Sequence, residues 1–244
     1  MSRLNLDSAE NLAVRMRQDL QMSLSEPVNA KTVLRVLGIV TLYRPLSDSL
    51  YGLSVKSSDN CCRFILVNSN TTRGRQHFTI AHELYHLYYD PNPHSHFCQE
   101  GNLDESERSA NMFARAFLMP KAGILKSIPA IELLSGNISL TTVLNLEALY
   151  GVSHTAMLIR LKELKLISNA SFDQYQSISV TKEAALRGLD INLYKSGNEG
   201  LILGDFGAKA RELFEKDLIS EGHYVELLNK IGYGNGEGED CAGC

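Results

Sequence analysis

Residues 82–86 read His-Glu-Leu-Tyr-His, and this pentapeptide limits the fold and chemistry of the chain more than any other stretch. In a helix, positions i and i+4 share a face about one turn apart. His82 and His86 can then offer two imidazole nitrogens to one cation, and imidazole suits Zn2+. Glu83, beside the first histidine, can reach a water on that cation without being a ligand itself. Such a set supports hydrolysis. The cation acidifies the water and polarises a carbonyl, while Glu83 is the general base that passes the proton to a leaving amine. Ile80, Leu84 and Leu87 form an apolar stripe flanked by Phe78, Ala81 and Tyr85, so much of this helix is expected to be buried. Buried imidazoles and carboxylates need partners, and a metal supplies one.

A catalytic zinc takes three protein ligands and keeps a position for water. The favoured third ligand is Glu107, within DESERSANMFARAFLMP at residues 104–120. Ala110, Ala114 and Phe117 follow it at helical spacing, so the carboxylate lies on an apolar stripe whose alanines permit close helix approach. A capping box explains Glu107 differently, with Asp104 as N-cap and Glu107 three residues later. Asn102 with Glu105 is an alternative box that frees Glu107. Glu105, Asp104, His94 and His96 are rival ligands.

The surrounding pattern predicts an α+β fold. Helices are expected over 7–23 and 29–37, and strands over 39–43, 50–55 and 63–67, the last two joined by a hairpin loop at 56–60. The turn cluster at 68–73 precedes a helix over 76–89, which Asp90-Pro91-Asn92-Pro93 ends. A loop at 91–101, a helix over 103–118 and two helices within 139–166 follow. After a composition change at 167–179 come a strand-like 200–203 and helices over 206–216 and 221–231. A sheet of about three strands should therefore pack on the His82–His86 helix, with a helical subdomain and a mostly helical C-terminal extension. The expected units are an N-terminal helix (1–27), the central domain with its helical subdomain (28–168), the extension (169–232) and a flexible glycine-rich tail (233–244).

Composition narrows the partners. The net charge of -4 and pI near 6.0 give no bulk basic surface for nucleic acid or anionic membrane. No apolar run approaches the roughly 18 residues that span a bilayer. Arginines and acids interrupt the first twenty residues, unlike a secretory signal. The five cysteines, an odd number, fit reduced cytoplasmic thiols. The helix pair in 139–166 resembles a helix-turn-helix, but its second helix offers only His154, Arg160 and Lys162 among apolar residues, so packing is expected and direct nucleic-acid binding is not. Cys61 and Cys62 are read as structural. Cys241 and Cys244 form one C-x-x-C pair, which cannot close a four-ligand site alone.

RQHFTIAHELYHLYY at 75–89, followed by ERSANMFARAFLMP at 107–120, closely resembles the ImmA/IrrE family of metallopeptidases. The shared pattern is Arg75-x-x-Phe78-Thr79-x-Ala81-His82-Glu83-x-x-His86, then Glu107-x-x-Ala110-Asn111-x-Phe113-Ala114, then Met119-Pro120. The likeness extends over about residues 28–168. It implies a gluzincin-like site, with zinc on His82, His86 and Glu107 and Glu83 catalytic. It also implies a site-specific endopeptidase that cleaves a helix-turn-helix (XRE-type) repressor or antitoxin to switch prophage, mobile-element or stress-response genes. The alternative is a non-proteolytic partner of such a regulator, in a toxin–antitoxin-like pair, that retains the zinc site. Tyr85 stands where many relatives have glycine, and it either narrows the cleft or packs inside. Tyr85, His77 and His94 are candidates for stabilising the oxyanion.

Overall fold

The computed structural model describes residues 5–57, 62–90, 96–99 and 104–230. Polar caps set most helix starts. Asn5 Oδ1 accepts the Ser8 N–H at the head of α1 (Leu6–Asp19), and Asn29 caps α2 (Ala30–Val36) in the same way. Strand β1 (Ile39–Arg44) alternates strictly, with Ile39, Thr41 and Tyr43 facing inward. After it come β2 (Leu50–Lys56), β3 (Arg63–Asn68) and α3 (Arg73–Tyr88), the helix that carries the pentapeptide. Thr72 caps α3, which starts three residues before the expected 76.

Strand β4 (His96–Gln99) lies inside the stretch expected to be a loop. Then follow α4 (Glu105–Leu118), α5 (Lys121–Ser127), α6 (Ala130–Ser135), α7 (Leu140–Tyr150) and α8 (His154–Glu163). The rest comprises α9 (Asn169–Gln176), α10 (Val180–Leu186), a 3-10 turn (Ile191–Tyr194), β5 (Ile202–Leu203), α11 (Phe206–Glu215) and α12 (Glu221–Lys230).

The fold is α+β. Its sheet has five strands in the order β4-β2-β3-β1-β5, where about three were expected. β2 and β3 form the expected antiparallel hairpin, and β1 runs parallel to β3. The two additional strands are short and pair antiparallel at the rims, β4 on β2 and β5 on β1. Each covers backbone groups that the rim strand would otherwise leave without partners.

α3 packs across β2 and β3, and α4 packs between α3 and α1. One apolar core runs through Ile65 and Val67 of the sheet, Ile80 and Leu84 of α3, and Phe113 and Phe117 of α4 into Met157 and Leu161 of α8. Two buried arginines hold the C-terminal end of α4. Arg17 of α1 donates to the Phe117 carbonyl through Nε at 2.9 Å and Nη2 at 2.6 Å, and Arg160 of α8 donates to the Met119 carbonyl at 2.9 Å. Helix-end carbonyls lack intrahelical donors, and these side chains supply them.

Candidate metal centre

Close contact between the sheet and α3 begins at Gly52 on β2. A Cβ there would stand 2.6 Å from Thr79 Cγ2 and 2.8 Å from the Leu66 carbonyl oxygen, so only glycine lets β2 lie this near the helix. Ser54, two residues on and on the same face, donates its hydroxyl to Glu83 Oε2 at 2.6 Å. Both residues are buried, Glu83 completely.

His82, His86 and Glu107 come together where α3 meets α4, and all three are buried. His82 Nε2 and His86 Nε2 lie 3.2 Å apart. Glu107 closes the triangle, with Oε2 at 3.3 Å from His82 Nε2 and Oε1 at 3.4 Å from His86 Nε2. Tetrahedral ligands on zinc at about 2.0–2.1 Å are separated by about 3.3–3.4 Å, close to the spacing between the two imidazoles and between each imidazole and its nearer Glu107 oxygen.

The outer ring nitrogens also fit a cation between the inner ones. His86 Nδ1 lies 2.8 Å from Asp90 Oδ2, which also accepts the Ser106 hydroxyl at 2.6 Å. A carboxylate only accepts, so His86 carries its proton on Nδ1 and turns the Nε2 lone pair inward. His82 Nδ1 lies 3.1 Å from Asn111 Oδ1, which orients that ring likewise. Two lone pairs and a carboxylate thus converge on one point. Such a donor set repels itself unless a cation sits among it.

Sequence reading had not assigned roles to Asn111, Asp90, Ser54 or Ser106. Asp90 carries a local signal, since it stands four residues after His86, just beyond the end of α3, within the segment that terminates the helix. The expectation about capping needs correction. Asp104 is the N-cap of α4 and accepts the Glu107 N–H at 2.9 Å, so the box built on Asn102 and Glu105 is not required to release Glu107. Glu107 gives its backbone to the cap and its side chain to the histidines. Asn102 and His94 lie outside the described residues, as does the side chain of His96.

Two of the oxyanion candidates point elsewhere. Tyr85 packs in the core, its ring 5.9 Å from Phe113 and 6.1 Å from Tyr89. His77 Nδ1 donates to the Gly151 carbonyl at 3.0 Å, and burial lowers its pKa against the opposing pull of that bond. Of the three polar side chains singled out on α8, His154 and Arg160 are buried in packing and Lys162 is exposed. Arg160 is fully buried on the Met119 carbonyl and pairs with Glu10. His154 Nδ1 donates to Glu147 at 2.6 Å and its Nε2 to the Tyr175 carbonyl at 2.9 Å. Neither side chain is presented to a duplex. Cys62 is exposed and free, whereas Cys61, Cys241 and Cys244 lie outside the described residues. Among the described residues, no helix is long and apolar enough to cross a membrane.

The family model described as the IrrE N-terminal-like domain, a peptidase family, matches residues 34–162. That span runs from before β1 to the penultimate residue of α8 and contains His82, His86 and Glu107. No curated protein matches the chain.

Proposed function

This chain belongs to the IrrE N-terminal-like peptidase family, the metallopeptidase family of ImmA and IrrE, and on that premise we propose that it is a zinc-dependent endopeptidase acting on a regulatory protein. The observation that carries the reading is the convergence of His82, His86 and Glu107, in which the imidazole Nε2 atoms stand 3.2 Å apart and each meets its own Glu107 oxygen at 3.3 or 3.4 Å, with both rings oriented from behind.

Zinc, when bound, supplies a Lewis acid that polarises the scissile carbonyl and makes the attacking water more acidic. Glu83 is proposed as the general base. It adjoins His82 in sequence, it is fully buried, and Ser54 fixes the rotation of its carboxylate. It takes the proton of the attacking water and delivers it to the departing amine nitrogen. Asp90 and Asn111 keep the two imidazoles aimed inward, and Ser106 in turn holds Asp90.

The proposed substrate is a helix-turn-helix repressor or antitoxin, as the family resemblance implies, and the proposed compartment is the cytoplasm, as the cysteine usage suggests. Its cleavage would switch prophage, mobile-element or stress-response genes. The test is incubation of the zinc-loaded protein with the helix-turn-helix regulator encoded beside it. Glu83→Gln should lower the cleavage rate by about 10²–10⁴-fold while metal content stays near one zinc per chain. Undiminished cleavage by that variant would sink the assignment of Glu83. A stable complex without cleavage would favour the non-proteolytic partner instead.

A further inference from the structure

A cavity of about 230 Å³ lies beside the centre, bounded by β2, α3, α4 and α8. Its wall includes Asn111, the partner of His82, and Thr79, which stands one turn before Glu83 on α3. Tyr51, Phe78, Ala156 and Ile159 make much of the lining apolar. Two cations reach it, Arg75 and Arg115. Arg115 is neutralised, since Glu163 lies 2.7 Å from its Nη2. Arg75 lies over the Tyr51 ring at 4.3 Å, and among the described residues no Asp or Glu pairs with it. A guanidinium stacked on an aromatic face keeps its edge donors for an acceptor in its own plane. Ser153, Thr155 and Ala156, at the N-terminal turn of α8, also border the cavity, and the helix dipole there adds to the positive potential.

We propose that this cavity is a specificity subsite for a carboxylate of the substrate, bound by Arg75. The proposal rests on the peptidase reading only for the statement that the occupant is a peptide. Arg75 lies seven residues before His82, about 10 Å along the helix. An extended substrate advances about 3.3–3.6 Å per residue, so that separation places the carboxylate about three residues from the scissile bond. The carboxylate has two possible sources, an acidic side chain inside the substrate or the C-terminus of a chain.

Equilibrium binding tests this without requiring hydrolysis. The zinc-loaded full chain is titrated with N-acetyl-glutamate amide, N-acetyl-glutamine amide and N-acetyl-glutamine with a free carboxyl group, while the Arg75 Nε–H resonance is followed by NMR. A carboxylate-bearing ligand should bind at least about tenfold tighter than glutamine amide. Preference for glutamate amide identifies an internal side chain, and preference for the free carboxyl group identifies a chain end. Either supports the subsite. Arg75→Gln should erase the preference, and Arg75→Glu should transfer it to N-acetyl-lysine amide. Equal binding of all three ligands overturns the proposal. So does a carboxylate preference that survives Arg75→Gln or disappears on chelation, because the carboxylate would then sit on the metal. Cleavage of the regulator is measured separately, so the subsite can fail while the peptidase reading stands, and the reverse.

Discussion

Asp90 illustrates how a single side chain controls the centre from behind. It accepts from both His86 and Ser106, so the imidazole has one tautomer and one ring orientation before any metal arrives. Asp90→Ala should weaken zinc binding by about 10–100-fold, read by competition with a chromophoric chelator. A second residue-scale prediction concerns His154. Both of its ring nitrogens face acceptors, the Glu147 carboxylate and the Tyr175 carbonyl, so the folded state holds the imidazolium. Burial pulls its pKa down, but the hydrogen bond and charge of Glu147 and the Tyr175 carbonyl outweigh it and leave the pKa raised. Tyr194 also donates to Glu147, at 2.8 Å, and stays protonated because burial and the Glu147 charge push its own pKa up. A raised folded pKa makes the stabilisation fully present below the unfolded value of about 6.5 and removes it as pH climbs through the folded value. The urea midpoint should therefore fall as pH rises above about 6.5, and His154→Gln should flatten that part of the profile. At this scale, spacing made the two histidines and Glu83 legible. Asn111 was not legible as a partner, since its role depends on how α4 lies against α3.

Elements meet in this molecule through backbone as well as side chains. Gly74, in the first turn of α3, faces the turn between α7 and α8. A Cβ there would stand 2.7 Å from Ser153 N and 2.9 Å from the Val152 carbonyl carbon. Neither atom is a side-chain end that can swing aside. Gly74→Ala should cost about 1–3 kcal/mol in urea unfolding, the usual scale of overpacking, although alanine favours helix by itself. A stabilised variant would show that the α7–α8 turn is loosely held. The longer elements were legible because apolar periodicity repeats several times within α3, α4 and α8. The four-residue β4 carries too little alternation, and pairing with β2 creates it, whereas the strand-like 200–203 is present as the two-residue β5 on β1. The short α5 and α6 start from prolines and span about two turns, too few for a period to show.

At the scale of the whole molecule, the centre joins α3 to α4, and these helices connect the sheet to the α1 and α8 packing. Zinc bound there should stabilise the fold by mass action, about 2.7 kcal/mol when free metal exceeds its dissociation constant a hundredfold. Chelation should therefore lower the melting temperature of the wild type, and much less that of His82→Ala; equal melting curves with and without chelator would argue against a metal in the folded protein. The broad α+β plan was legible from the sequence. The return of the C-terminal residues was not, since it rests on contacts between distant segments. Gln76 of α3 reaches the Ser69, Thr71 and Gly197 carbonyls through Nε2, while Asn198 donates to its Oε1 at 2.7 Å. Leu203 pairs with Thr41 to complete the sheet rim. On a ribosome the chain emerges from its N-terminus, so the histidines of α3 are made long before the residues that clasp that helix. The Gln76 partners, separated from it by 121 and 122 residues, and the Thr41–Leu203 pair therefore close late. A nascent chain would thus carry the three candidate ligands early but complete the frame that supports them only once residues 197–203 have emerged.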